Sequence, residues 1–230
     1  MKRIGLVGGL CPESTREYEK IICDEYNRRV GGLNTPEMVV YYLNLQKIAD
    51  LQNKNRWDLV GAEMVKAIFS LRDAGADFAA IASNTPHNAY NHIITSSPLE
   101  VLSIVDAAAE KIHEDNISNV GLLGTKQTME LGYFQKVLES RDISTFVPDE
   151  KGRDFIDRVI FEELVHGATT QAAKEGYIRI IKELAERGAE GIILGCTEIP
   201  LLIKQEDVPT KVYDTTAIHA KAILEYALKE

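Results

Sequence analysis

Two stretches of this sequence repeat one pattern, LRDAGADFAAIASN at Leu71–Asn84 and LAERGAEGIILGCT at Leu184–Thr197. When the two are aligned on their Gly-Ala pairs, the runs of small and apolar residues that follow stay in step. Each stretch has the pattern of a helix end, a tight turn and a buried strand, followed by a polar residue where the strand stops. That polar residue is Ser83 in the first stretch and Cys196 in the second.

The repeat extends upstream and predicts two similar halves. IGLVGG at Ile4–Gly9 has its counterpart in VGLLGT at Val120–Thr125, at a similar distance before each polar residue. Predicted helices alternate with predicted strands, which indicates a mostly parallel sheet in each half. The expected fold class is therefore α/β, with two similar α/β domains of mostly parallel sheets related by a pseudo-twofold axis.

This organisation predicts where a ligand binds. In open α/β sheets, ligands bind beyond the carboxyl ends of the strands. If the two halves face each other, Ser83 and Cys196 lie on opposite sides of a cleft, and we expect the active site at that interface. The alternative is that the repeat reflects only a shared way of packing strands against helices, with no chemistry in it.

Composition narrows the class of protein. The 230-residue chain is 45% hydrophobic and 27% charged, which is ordinary for a globular protein, and its formal net charge is −9. A field of this sign disfavours nucleic acid and anionic membrane surfaces as partners. No apolar run approaches the roughly 20 residues of a transmembrane helix. The G-x-G-x-x-G motif of dinucleotide-binding loops is also missing from the sequence.

The cysteines indicate a reducing compartment rather than a metal site. Cys11, Cys23 and Cys196 are odd in number and form no Cys-x-x-Cys or Cys/His cluster. We therefore expect no metal and a cytoplasmic location.

Cys196 has the most specific chemistry of these residues. A thiolate is a base and a nucleophile, and local positive potential makes it available from a thiol. Cys196 follows a strand at a point where a helix could begin, so we expect helix N–H dipoles to favour its thiolate. Thr197 and Glu198 come next and are candidates for orienting a ligand. The alternative role, that of a small buried packing residue, is expected for Cys11 and Cys23.

Two proton carriers on opposite sides of one carbon suit one class of reaction. One carrier removes a proton, and the other returns a proton to the opposite face, which inverts a stereocentre without a cofactor. This geometry needs a quasi-symmetric cleft, which an internal repeat supplies. Ser83 and Cys196 are therefore the candidate catalytic residues.

Five segments, distributed in order over nearly the whole chain, resemble the aspartate/glutamate racemase family of cofactor-independent amino-acid racemases. They are GLVGGLCPEST near the N-terminus, SNTPH at 83–87, GLLGTKQTME at 121–130, LGCTEIPLL at 194–202 and YDTTAIHA at 213–220. The resemblance implies that the C-terminal strand and helix return to the first domain, which gives domains of residues 1–105 with 208–230 and of residues 106–207. It also implies an active site at the domain interface, no pyridoxal phosphate or other cofactor, and a homodimer.

The chain departs from the usual family pattern at one catalytic position. That pattern has cysteine at both positions, whereas this chain has Ser83 and Cys196. A branch of the family that acts on L-aspartate and L-glutamate carries a hydroxyl residue at the first position, and this chain looks most like that branch. Because a serine hydroxyl is a far weaker acid than a thiol, we expect Cys196 to deprotonate one enantiomer and Ser83, directly or through water, to reprotonate the other face. The reverse direction should be slow.

The resemblance also implies contacts to the substrate. They come from the backbone around Leu10 and from the side chains of Gln52, Asn84, Thr85 and Thr197. Some members use a basic residue against a substrate carboxylate, and its position aligns here with Val165 or His166. The choice between aspartate and glutamate therefore stays open.

Other roles and functions remain as alternatives. His87 either supplies protons to Ser83 or caps its loop, and His219 is expected to make a structural hydrogen bond. A single cysteine would also suffice for a decarboxylase-like member of the same superfamily. A catalytically weak amino-acid-binding protein would retain the same residues.

Overall fold

The computed structural model describes residues 1–229, which form two compact units. The first unit contains Met1–Ile104 and the chain from Thr216 onward, and the second contains Val105–Thr215. The strands are β1 (Ile4–Gly8), β2 (Met38–Tyr42), β3 (Phe78–Ile81), β4 (Val101–Leu102), β5 (Asn119–Leu123), β6 (Ser144–Phe146), β7 (Gly191–Leu194) and β8 (Lys211–Asp214). The helices are α1 (Pro12–Val30), α2 (Leu45–Asn53), α3 (Trp57–Asp73), α4 (Tyr90–Ser96), α5 (Ile104–Glu114), α6 (Lys126–Glu130), α7 (Tyr133–Glu139), α8 (Glu150–Glu162), α9 (Gln171–Glu186) and α10 (Thr215–Leu228).

The first unit is a parallel sheet with helices on both faces. Its strand order is β2-β1-β3-β4. On one face α3 packs Met64 and Ile68 with Val7 of β1, and on the other face α1 and α10 pack around Leu6. Neighbouring residues of β1 join different clusters because successive side chains of a strand point to opposite faces. The inner strands β1 and β3 are buried along their whole length, as a parallel sheet covered on both faces requires.

The second unit repeats this plan with the strand order β6-β5-β7-β8, again parallel. Strand β5 corresponds to β1 and strand β7 to β3. The predicted α/β class, with two similar units and parallel sheets, is confirmed.

The last strand contradicts the expectation that the chain returns to the first domain at residue 208. Strand β8 pairs with β7, from Lys211 opposite Gly191 to Asp214 opposite Leu194. The backbone groups on this side of β7 need hydrogen-bond partners because β7 is buried, and β8 supplies them. The chain therefore returns to the first unit only with α10.

Three local features depart from a simple alternation of one strand with one helix. The polar segment after β2 forms α2, whose N-cap Asn44 accepts a hydrogen bond from the backbone N–H of Lys47. Only Ile48 of this helix is buried, so its sequence shows little apolar periodicity. The helical segment after Thr125 is divided into α6 and α7 around Gly132, which has φ of 75°. Strand β6 is only three residues long.

Among residues 1–229, none of the helices is both long enough and apolar enough to cross a membrane.

Candidate active site

Two glycines bring the loops after β5 and β7 close together in the second unit. The backbone N–H of Gly195 donates to the carbonyl oxygen of Leu123 at 2.6 Å. A Cβ atom on Gly195 would lie 2.9 Å from that same oxygen, and one on Gly124 would lie 2.9 Å from the carbonyl oxygen of Gly195. Side chains at either position would force the loops apart. The sequence therefore places Cys196 next to the residues that follow β5.

Cys196 is buried and makes a hydrogen bond through its thiol. The Sγ atom donates to Oε2 of Glu198 at 2.9 Å, and the exposed fractions of the two residues are 7% and 4%. The hydroxyl of Thr197 donates to both carboxylate oxygens of Glu198, at 3.0 and 3.1 Å. A thiol, a hydroxyl and a carboxylate thus form one compact buried group immediately after β7.

The expectation that a helix N-terminus follows Cys196 is wrong. Only a short 3-10 turn follows, at Ile199–Leu201, and its second residue is Pro200. A single turn of this kind carries little of the aligned backbone dipole that a long helix provides. The group that contacts the thiol is the carboxylate of Glu198, so the local electrostatics differ in sign from the expectation.

Two phenols lie close enough to Cys196 for its charge to affect them. Burial is the main cause that raises the pKa of Tyr133, and the negative charge of an ionised Cys196 adds to it. Burial, followed by the same Cys196 charge, raises the pKa of Tyr177 well above its ordinary value. Both side chains therefore remain protonated and act as hydrogen-bond donors near neutral pH. Tyr133 donates to Oγ1 of Thr128 at 3.1 Å, and Tyr177 donates to the carbonyl oxygen of Ile156 at 3.3 Å.

The loop after β5 presents two threonines beside this group. Thr125 caps α6 by accepting a hydrogen bond from the backbone N–H of Thr128 at 3.2 Å. The two hydroxyls lie 3.1 Å apart. The sequence gives no indication of a role for Tyr133 or Tyr177, and for Thr128 it shows only a position three residues after Thr125.

In the first unit, Ser83 occupies the position after β3 that Cys196 occupies after β7. Ser83 is half-buried, and the following Asn84 is buried. The Nδ1 atom of buried His87 lies 2.9 Å from the carbonyl oxygen of Ser83. The Nε2 atom of the same ring accepts from the backbone N–H of Ile104 at 3.4 Å. An acceptor at Nε2 assigns the proton to Nδ1, so the ring donates to the Ser83 carbonyl. Of the two roles considered for His87, this geometry supports the cap.

His219 makes the structural hydrogen bonds that were expected of it. Its Nδ1 lies 2.9 Å from the hydroxyl of Tyr18, and its Nε2 lies 3.2 Å from the carbonyl oxygen of Leu102. Burial, followed by the proximity of His87, lowers the pKa of His219 to about 3. The ring is therefore neutral near pH 7 and donates from Nε2. His219 and His87 bind the backbone at Leu102 and Ile104, on either side of Ser103.

The loops that carry the other candidates of the first unit leave one edge of its sheet. Strands β2, β1 and β3 are parallel neighbours, so the segments after them begin at the same edge. Leu10 is buried in the loop after β1, and Ser83, Asn84 and Thr85 follow β3. Gln52 is half-buried near the C-terminal end of α2, the helix that follows β2.

The loop after β1 is held in a narrowly defined conformation. Gly9 has φ of 75°, and a Cβ atom there would lie 2.4 Å from the carbonyl oxygen of Leu43. Its backbone N–H donates to the hydroxyl of buried Thr15 at 3.0 Å, and this hydroxyl donates to the carbonyl oxygen of Cys11. These contacts fix the backbone of Leu10 between them.

The two positions considered for a carboxylate-binding basic residue lie in one 3-10 turn of the second unit, Leu164–His166. Val165 is half-buried, and His166 is exposed. Among the described residues, no cluster of three or more His, Cys, Asp or Glu side chains could hold a metal ion.

Residues 7–223 match the model of the Asp/Glu/hydantoin racemase family. The chain belongs to this family. It is 24% identical over 224 residues to the broad specificity amino-acid racemase RacX of Bacillus subtilis, with 95% of each chain covered. It is 26% identical over 140 residues to the glutamate racemase of a Hydrogenobaculum species, which covers 60% of this chain and 51% of that one.

Solved structures agree over the full length of the chain. An aspartate racemase homologue from Pyrococcus horikoshii superposes with a TM-score of 0.86 at 37% identity, and each chain is covered completely. A protein from Yersinia pestis, described as a candidate Asp/Glu racemase, superposes with a TM-score of 0.93 at 38% identity and the same coverage. The family member described here is thus an isomerase, an amino-acid racemase.

Proposed function

We propose that this racemase interconverts the enantiomers of aspartate, glutamate or both, without a cofactor. The observation that carries the proposal is the equivalent placement of Ser83 and Cys196. Strand β3 ends at Ile81 and strand β7 at Leu194, and each candidate is the second residue after its strand. Two proton carriers at matching positions correspond to the two proton transfers that a racemisation requires.

In the proposed reaction Cys196 and Ser83 have different roles. The Cys196 thiolate removes the α-proton of the L-enantiomer and becomes a thiol, and the electron pair of the broken bond passes into the carbanion. Ser83 then donates a proton to the opposite face, directly or through a water molecule, and is reprotonated from solvent. The reverse direction requires Ser83 to remove a proton as an alkoxide. Serine is poorly suited to this because the pKa of its hydroxyl lies far above neutral pH.

Substrate binding is proposed for the backbone of Leu10 and the side chains of Gln52, Asn84, Thr85 and Thr197. Support comes from the common sheet edge at which the loops after β1, β2 and β3 begin. Glu198, a candidate for orienting the ligand, forms hydrogen bonds with Cys196 and Thr197, which favours a role toward the thiol. Whether Val165 or His166 stands near a substrate carboxylate bears on the choice between aspartate and glutamate.

The absence of a cofactor, a homodimer and a cytoplasmic location also belong to the proposal. The first two rest on the family resemblance, and the third rests on three free cysteines in a chain without a disulfide among its described residues. Light scattering of the purified protein tests the dimer.

Proton NMR in heavy water tests the reaction itself. Purified protein without added cofactor is incubated with L-aspartate or L-glutamate, beside the Cys196→Ala and Ser83→Ala variants. The expected result is loss of the α-proton signal and appearance of the D-enantiomer, both dependent on Cys196. Exchange without inversion in the wild type would remove Ser83 from the second step. Binding without exchange of either acid would contradict the proposal and favour an amino-acid-binding protein.

A further inference from the structure

We infer that His87 is the positioning residue for Ser83: its imidazole replaces a backbone donor that the turn after β3 lacks, and so fixes the direction of the serine side chain. The inference rests on the proposed function, because Ser83 is assigned the second proton transfer there. The hydrogen bonds that carry it lie within the first unit, and part of the test needs no substrate.

A comparison of the two turns shows which donor is missing. In the turn after β7, the carbonyl oxygen of Cys196 accepts a hydrogen bond at 3.1 Å from the backbone N–H of Ile199, three residues later. The third residue after Ser83 is Pro86, which has no backbone N–H. The first turn therefore cannot hold the carbonyl of Ser83 in the way that the second turn holds that of Cys196.

The ring of His87 makes this hydrogen bond instead. Its Nδ1 atom donates to the carbonyl oxygen of Ser83 at 2.9 Å. The backbone N–H of Ser83 donates to the carbonyl oxygen of Ile81 at 2.8 Å, so the peptide groups on both sides of Ser83 are hydrogen-bonded. Because both peptide planes are held, the Cα–Cβ bond of Ser83 has a fixed direction, and the hydroxyl retains only its rotation about that bond.

The ring of His87 is itself held in one orientation. Its Nε2 atom accepts from the backbone N–H of Ile104, the first residue of α5, at 3.4 Å. The ring stacks on that of Tyr90, with centroids 5.4 Å apart and an angle of 21° between the planes. His87 is also buried, so close-packed neighbours leave its ring little room to turn. The donor that replaces the backbone N–H is therefore rigid.

These hydrogen bonds require one protonation state of the ring. His87 must be neutral with its proton on Nδ1, because Nε2 is an acceptor. His219 has the opposite tautomer, since it donates from Nε2 to the carbonyl oxygen of Leu102 and its Nδ1 accepts from the hydroxyl of Tyr18. Both buried histidines bond to the segment 102–104, and His87 is the one of the two that also bonds to Ser83. His219 therefore serves as a matched control.

The test compares inversion with exchange. Wild type and variants are incubated with L-aspartate or L-glutamate in heavy water, and the rates of α-proton exchange and of D-enantiomer formation are measured by NMR and chiral separation. His87→Gln keeps an acceptor within reach of Ile104 but has no donor at the position of Nδ1. It should lower the ratio of inversion to exchange about tenfold or more, as Ser83→Ala does, because a displaced donor no longer meets the carbanion. Exchange by Cys196 should continue.

Matched variants separate positioning from stability. Asparagine carries its amide nitrogen on Cγ, as histidine carries Nδ1, so His87→Asn should restore most of the ratio. Adding Pro86→Ala to His87→Gln should also restore it, because it supplies the backbone N–H that the second turn has at Ile199. His219→Gln removes the other buried histidine that bonds to the segment 102–104, and it should lower stability without changing the ratio.

A spectrum of the substrate-free wild type provides the second readout. Proton–nitrogen correlation of the histidine rings at pH 7 should place the proton of His87 on Nδ1 and that of His219 on Nε2. A proton on Nε2 of His87 would overturn the inference whatever the activity.

The possible outcomes separate this inference from the proposed function. If the wild type inverts its substrate and His87→Gln keeps the wild-type ratio, or if His219→Gln lowers the ratio as much, the inference fails and the proposed function stands. If neither acid exchanges its α-proton in the wild type, the proposed function fails. In that case a ring proton on Nδ1 still supports the hold of His87 on Ser83, and a ring proton on Nε2 excludes it.

Discussion

The turn after β3 in the first unit and the turn after β7 in the second begin at the same strand position, yet their hydrogen bonds serve different atoms. After β3, the ring of His87 donates to the carbonyl oxygen of Ser83 and so stabilises the backbone of the turn. After β7, the thiol of Cys196 donates a hydrogen bond to the carboxylate of Glu198. The position of Glu198 in the second turn is occupied by Thr85 in the first, and the position of His87 in the first turn is occupied by Pro200 in the second. Neither turn can therefore form the other's hydrogen bond.

This difference shows how two similar units acquire unequal chemistry. The repeated backbone fixes where Ser83 and Cys196 lie, and the residues that follow them decide which of their atoms are hydrogen-bonded. The Cys196 thiol bonds to a carboxylate, whereas in the other turn a histidine bonds to the backbone carbonyl of Ser83. If Cys196 and Ser83 are the proton carriers, as proposed, the two directions of racemisation are expected to differ in rate because a hydroxyl is a far weaker acid than a thiol.

The largest effect is expected when the thiol after β7 is removed. Cys196→Ala should lower α-proton exchange of the L-enantiomer about 10³-fold or more, because no other described group in the second unit combines that position with a titratable thiol. The thermal midpoint should change little, since alanine fits the space of the thiol. Heavy-water NMR measures the exchange, and retention of more than a few per cent of the wild-type rate would refute the role of Cys196.

The substitution Gly195→Ala tests the close approach of the backbone loops after β5 and β7. The equivalent residue in the first unit is Ala82, which is fully buried without difficulty. At Gly195 the new Cβ would lie 2.9 Å from both the Leu123 carbonyl oxygen and Cδ1 of Leu122. We expect a loss of roughly 1–3 kcal/mol in the free energy of unfolding, measured in urea.

Ala82→Gly is the matched change in the first unit, and it should cost about 1 kcal/mol or less. If Gly195→Ala lowers the free energy of unfolding no more than Ala82→Gly does, the loops around Gly195 are not too close together for a side chain.

Acid should separate the stabilities of the two units. The pKa of His219 is lowered from its ordinary 6.5 to about 3 by burial. Between these values the unfolded chain binds a proton that the folded chain does not, so stability is full above pH 6.5 and falls as the pH decreases, by up to about 1.4 kcal/mol per pH unit. Asp115 of the second unit has its pKa lowered from 3.8 to about 2, mainly by Lys211, so its contribution to stability begins to fall only near pH 3.8, when most of the His219 effect has already appeared.

Hydrogen exchange resolved by unit is the measurement for this acid effect. The first unit should lose protection before the second as the pH is lowered from 6.5. His219→Gln should be less stable at pH 7 but less sensitive to acid, whereas His113→Gln, on the exposed side of α5, should behave as wild type. An unchanged acid dependence in His219→Gln would contradict the assignment.

The smallest effect is expected from a substitution that makes the two turns more alike. Ser83→Cys gives both units a thiol, so the D-to-L direction should accelerate relative to L-to-D by about tenfold. The two rates are followed by circular dichroism from each pure enantiomer. Ser83→Thr keeps a hydroxyl and should leave the ratio near that of the wild type. If the ratio in Ser83→Cys equals the wild-type ratio, Ser83 is not the limiting proton carrier.

The internal repeat predicted much of this architecture. Aligned glycines and apolar runs indicated the strands, their parallel arrangement and the positions of Ser83 and Cys196 at strand ends. These features depend on local patterns, namely buried strands, tight turns and helix caps, which a sequence displays directly.

The failures have a different physical origin. Strand β8 pairs with β7 through backbone hydrogen bonds, and the sequence of a strand does not show which neighbour it pairs with. The family resemblance had assigned this strand to the first domain. The hydrogen bond between Glu198 and Cys196 depends on a side chain that turns back to a residue two positions earlier, and such a contact has no periodic pattern in the sequence. The proximity of Tyr133 and Tyr177 to Cys196 arises only when α7 and α9 pack, so their sequence gave no indication of it.

The path of the chain between the units has a consequence for its synthesis. The second unit is continuous from Val105 to Thr215, whereas the first needs α10, whose Ile223 and Leu224 fill the core beside β1. During synthesis, the N-terminal segments of the first unit therefore emerge before α10, and part of one face of their core stays uncovered until that helix is made. The second unit is continuous in sequence, so it can complete its fold before the first.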